Sequence, residues 1–151
     1  MTARTNHRRN TSLAALLVLG VPLLAGPAIA AGNDATYRAA LTGSSEVPAT
    51  TGAGTGEITA TFDPAAKRLS WSGRYSGLTG PVTAAHFHGP AKAGENAGVL
   101  VPVTAASSPF SGEAILDDAK AAHLAAGRIY FNLHTAANPK GEIRGQLERA
   151  P

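Results

Sequence analysis

The chain has 151 residues, a length that fits one domain, and no cysteine, which excludes disulfides, thiolate metal sites, cysteine nucleophiles and a lipid-modified cysteine. Its net charge of +3 belongs to the N-terminus: three of the 13 Lys and Arg, and none of the ten Asp and Glu, lie in the first 30 residues, which leaves ten of each sign in the remainder. A neutral body without a stripe of aromatic and basic side chains excludes a nucleic-acid or anionic-membrane surface.

The N-terminus reads as an export signal. Arg4, His7, Arg8 and Arg9 give a positive start, residues 13–25 an apolar run, and Ala28-Ile29-Ala30 a small-residue cleavage site. The run is shorter than the roughly 20 residues a membrane helix needs, and Pro22 interrupts it. No second such stretch follows, so no membrane span is expected after cleavage. Arg8-Arg9 is similar to a twin-arginine signal, but Asn10 to Leu13 fit it only loosely, so the general unfolded route is the leading expectation and twin-arginine export the alternative. The expected division is a signal at 1–30, a short tail at 31–36 and one domain at 37–149, exported to a periplasm or out of the cell.

From Tyr37 onward short runs alternate with turns. Residues 37–41 open the series, a Thr/Ser/Gly/Ala loop fills 42–56, and 56–62 alternates polar with apolar. Asp63-Pro64-Ala65-Ala66 turns the chain, and 68–75 returns with Leu69, Trp71 and Gly73 on one face, which predicts a hairpin. Further strands are expected at 82–88, 99–104, 112–116, 128–135 and 142–147. One short helix is predicted over 119–126, capped by Asp117 or Asp118 and stopped by Gly127. Seven or eight short strands at this spacing predict an all-β, antiparallel, Greek-key-like β-sandwich with one helix.

The histidines carry the chemistry. In the strand containing His86-Phe87-His88, side chains alternate, so His86 and His88 share one face and Phe87 takes the other. In 129–134, Ile129, Phe131 and Leu133 form an apolar face, and Tyr130, Asn132 and His134 the opposite one. If the two strands are neighbours, His86, His88 and His134 form a three-imidazole set outside the core. Imidazoles without carboxylate or thiolate suit one copper or zinc ion, and three of them leave a coordination position open. Asn132 and Tyr130 are the candidates to orient the imidazoles. The alternative is that the imidazoles only hydrogen-bond loop carbonyls. His123, on the helix, reads as a surface or packing residue.

Other constellations are absent or structural. No Gly-x-Ser-x-Gly elbow occurs, and the glycine-rich loop 89–98 lacks the ending of a phosphate loop. Asp117-Asp118 reads as a helix cap. Glu142, Arg144 and Gln146 share one strand face and read as a polar ladder, with Glu142 and Arg144 as a candidate ion pair.

Three segments resemble the chordin-type (CHRD) domain: Ala85-His86-Phe87-His88-Gly89-Pro90-Ala91, Gly127 to Thr135, and Asn138 to Leu147. Gly43 and Glu46-Val47-Pro48 agree with it. The likeness spans about 37–148 and is nearest to the stand-alone, secreted bacterial form. It implies an extracellular β-sandwich, and it does not by itself carry a function. A more distant likeness is to copper/zinc superoxide dismutase, which also uses a strand His-x-His, a later strand His and a Gly-Arg return strand. That likeness implies an anion-guiding role for Arg144. The bridging histidine, the zinc ligands and the disulfide cysteines of that family are missing here.

Three functions follow as expectations. The first is a non-enzymatic extracytoplasmic binding module holding one copper or zinc ion and meeting an unidentified protein or glycan. The second is a mononuclear copper oxidoreductase similar to the dismutases. The third is a structural or adhesive domain without metal.

Overall fold

The computed structural model describes residues 1–2, 33–105 and 107–151. The predicted signal at 1–30 therefore lies, but for its first two residues, outside the described residues. No described helix is long and apolar enough to cross a membrane.

Nine strands follow in chain order: β1 (Ala35–Thr42), β2 (Thr55–Asp63), β3 (Arg68–Ser76), β4 (Val82–His88), β5 (Val99–Val103), β6 (Phe110–Ile115), β7 (Tyr130–Thr135), β8 (Ile143–Gln146) and β9 (Glu148–Arg149). The helix α1 (Asp118–Ala125) joins β6 to β7. All described pairings are antiparallel, in the order β5-β4-β7-β8-β1-β2-β3-β6, with the two-residue β9 added on β1. The predicted all-β sandwich of seven or eight strands with one helix is thus the fold observed, β9 being a short addition.

The order explains the two layers. Trp71 of β3 meets Phe87 of β4 edge-on at 5.1 Å, and Phe110 of β6 stacks on Phe131 of β7 at 5.7 Å. Strands far apart in the ladder are therefore face to face, because the sheet folds back on itself. The fold line is the β8–β1 junction, where Thr42 and Arg144 form the one described β1–β8 pair, against eight pairs between β1 and β2. Gly145 permits this approach: a Cβ there would run into the Ala40 carbonyl.

Local chemistry sets the connections. The Asp63 carboxylate accepts from the backbone N–H of Ala65 and Ala66, at 2.8 and 3.0 Å, and turns β2 into β3. Of the two predicted caps for α1, Asp117 does the work, accepting from Lys120 N–H at 2.8 Å. Gly127, at φ +66°, ends the helix, with its N–H on the Leu124 carbonyl and that of Arg128 on the His123 carbonyl. Leu124 is buried in the core while His123 is only partly covered.

The core runs along one face of every long strand: Tyr37, Leu41, Ile58, Leu69, Trp71, Phe87, Phe131, Leu133 and Ile143. The opposite face of β7 is also covered, so all six of its residues are buried. Three loops, 43–50, 89–98 and 136–142, supply that cover, as the contacts below establish.

Candidate metal centre

Strands β4 and β7 are neighbours. Their register sets His86 opposite Asn132, His88 opposite Tyr130 and Ala84 opposite His134. The pleat then brings the three histidines to one face, and one ring nitrogen of each lies within 4.8 Å of the others. A register shift against β5 between Phe87 and His88 marks a bulge where the set is built.

Hydrogen bonds identify the nitrogens. His88 Nδ1 lies 3.0 Å from the Ala97 carbonyl, and His134 Nδ1 lies 3.1 Å from the Pro139 carbonyl. A carbonyl only accepts, so both Nδ1 atoms carry hydrogen and both Nε2 atoms carry a lone pair. His86 Nδ1 lies 3.2 Å from His134 Nε2 and donates to that lone pair. His88 Nε2 is buried with no hydrogen-bond partner. The expected hydrogen bonds to loop carbonyls are thus present through Nδ1 of His88 and His134, while Nε2 of His134 accepts from His86 and Nε2 of His88 has no partner.

Electrostatics keep the set uncharged at neutral pH. Burial holds all three imidazoles below the usual histidine value. For His86 the nearness of His134 and His88 adds to the effect. A neutral imidazole is the form that binds a metal.

A buried polar layer surrounds the histidines. The Tyr130 ring stacks parallel to His88, with centroids 4.9 Å apart and planes 3° apart, and its hydroxyl reaches the backbone of Ala97. The Arg144 guanidinium carbon lies 3.4 Å from the Tyr130 ring centroid. Asn132 Nδ2 approaches Glu46 Oε1 at 3.5 Å, and its Oδ1 is buried without a partner. Burial pushes the Glu46 carboxyl up to about 7, against the charge of Arg144 and the Asn132 hydrogen bond.

Arg144 and Glu142 are not brought together. The expected ion pair is replaced by two separate clusters, because β8 begins only at Ile143: Glu142 lies in the bend before it, where strand alternation does not align it with Arg144. Arg144, 1 % exposed, donates to Asn96 Oδ1 at 3.1 Å and to the Glu95 carbonyl at 2.7 Å. Glu142, fully buried, accepts from the Thr79 N–H at 2.7 Å, the Thr79 hydroxyl at 2.6 Å and the Thr135 hydroxyl at 2.5 Å. Gln146, third on that face, donates to the Ala91 and Gly127 carbonyls.

A family profile for the CHRD domain matches residues 37–147, which include every side chain of this site. The chain belongs to the CHRD-domain family. Searches of curated proteins and of solved structures gave no significant match. In this CHRD domain, the residues that sequence reading missed are Glu46, Asn96, Ala97 and Pro139. Three of them act through a loop backbone or lie on a loop, where no periodicity marks a side chain's direction. Glu46 stands in a polar stretch that gives no sign of burial.

Proposed function

We propose that this CHRD domain is an exported binding module that holds one copper or zinc ion through His86, His88 and His134. One observation carries the reading: three imidazoles have ring nitrogens within 4.8 Å of one another, and the Nδ1–H groups of His88 and His134 are spent on backbone carbonyls, which leaves a lone pair on each Nε2. Metal-bound imidazoles are oriented in this way, through the nitrogen that does not bind. His86 Nδ1 lies 3.2 Å from His134 Nε2, and for His86 to ligate through Nδ1 its hydrogen would have to reside on Nε2. The all-imidazole set suits copper or zinc over the harder cations. Asn132 and Tyr130 orient the set, Tyr130 by stacking on His88 and Asn132 from its place opposite His86.

A binding role is favoured over dismutase-like turnover by the state of Arg144. A residue that steers an anion presents its charge to solvent. This one is enclosed and engaged by a loop. Export rests on the charged, apolar and small-residue order of the first 30 residues.

Titration of metal-stripped protein with Cu(II), Cu(I) and Zn(II), beside His86→Ala, His88→Ala and His134→Ala, tests the site. Tight one-to-one binding that each substitution weakens by at least tenfold is expected. Binding indifferent to all three substitutions overturns it.

A further inference from the structure

Resting on the metal-binding reading above, we propose that Arg144 is the positioning residue of the histidine site, acting through loop 89–98 to decide which nitrogen of His88 faces the centre. The loop leaves β4 directly after His88 and closes at its neck through the Gly89 N–H and the Gly98 carbonyl, 3.2 Å apart. Between these ends lies Ala97, whose carbonyl takes the His88 Nδ1–H. Without that acceptor in place, either ring nitrogen of His88 can carry the hydrogen.

Arg144 holds the loop at the two residues before Ala97. One guanidinium nitrogen donates to the Asn96 side chain and another to the Glu95 carbonyl. Asn96 passes the restraint on, donating from Nδ2 to the Val47 carbonyl at 2.9 Å, which ties this loop to the one carrying Glu46. Tyr130 completes the column, since its ring lies against both Arg144 and His88 while its hydroxyl meets Ala97. Asn96 and Glu95 are themselves exposed, so it is the buried guanidinium that anchors them.

The chemistry of the residue fits this task. The described ion pairs leave Arg144 without a carboxylate, and its buried charge is met by a side-chain amide and a carbonyl. A planar fork can stack on a ring and bond two loop oxygens at once, which an ammonium cannot do. Removing such an outer partner lowers metal affinity by about ten- to a hundredfold in other sites.

The test uses Arg144→Lys, the milder exposed-loop variant Asn96→Ala, and Leu69→Ala as a control for lost stability at a distance. The imidazole nitrogen signals of His88 are read in the metal-free proteins, and zinc affinity is read by titration. In the wild type, and in Leu69→Ala, His88 shows a single species with hydrogen on Nδ1. In Arg144→Lys and Asn96→Ala it shows a mixture of both forms, and zinc affinity falls about tenfold or more. A His88 signal unchanged in both variants overturns the proposal, as does one altered equally in Leu69→Ala. If wild-type protein binds no zinc, the function proposed above falls, while the nitrogen signals still decide the role of Arg144.

Discussion

Nδ1 of His86 stands 3.2 Å from Nε2 of His134, across the pairing of β4 with β7. The two residues are 48 positions apart in the chain, so this contact exists only because those strands are adjacent. It also implies that metal-free protein satisfies one lone pair by a histidine–histidine hydrogen bond. A metal held as proposed would displace that bond.

The proposed site would link metal binding to folding. Zinc at a hundredfold excess over its dissociation constant should raise the unfolding free energy by about 2.7 kcal/mol. Thermal unfolding with zinc, and again after a chelator, measures the shift. At the same zinc concentration, a His86→Ala site at least tenfold weaker should keep no more than about half of the shift, about 1.4 kcal/mol.

Glu142→Gln should cost about 1–3 kcal/mol at pH 7, the range for leaving buried partners unmatched. Burial opposes ionisation of Glu142, but hydrogen bonds from Thr135 and Thr79 outweigh it and hold the carboxyl below its ordinary value. A carboxylate with a depressed folded value adds stability that is present above about pH 4.5 and lost as the pH falls below it. Urea unfolding of both proteins at pH 7 and pH 3.5 should give a gap that closes on acidification. A gap of equal size at both pH values would falsify the anionic role.

Glu46 should act in the opposite sense. Its folded value of about 7 exceeds its ordinary 4.5, so between these values the folded state holds more protons than the unfolded one, and stability falls as pH rises. Glu46→Gln removes that loss. Relative to wild type it should gain stability between pH 5 and pH 8, by at most about 3 kcal/mol at 1.36 kcal/mol per pH unit. Denaturant midpoints at the two pH values check it, and a constant difference between the proteins refutes it.

Gly145→Ala should destabilise the domain by about 1–3 kcal/mol, the cost of forcing added atoms into a packed site. The new methyl meets the Ala40 carbonyl at the line where the sheet folds back. Gly80→Ala, where a Cβ meets nothing within 4 Å, is the control and should change the midpoint little.

Most of the fold was legible because strand alternation is a local signal. Ile129, Phe131 and Leu133 against Tyr130, Asn132 and His134 set two faces wherever β7 sits. The Asp63 turn, the Asp117 cap and the Gly127 stop are equally local, each being a side chain or glycine acting within three residues of itself. The histidine faces followed from the same period. The expected pairing of Arg144 with Glu142 came from starting the period at Glu142, one residue before the strand begins at Ile143.

What the sequence determined by itself was the strand set, the helix and its ends, and the shared face of His86 and His88, since these depend on near neighbours and on a period of two. Tertiary structure alone decided that β4 lies beside β7, that three loops bury the polar face, and which nitrogen of His88 and His134 meets a carbonyl. Those outcomes depend on oxygens such as the Ala97 and Pro139 carbonyls, and every residue carries a carbonyl. Only the folded chain places one of them 3 Å from a particular imidazole.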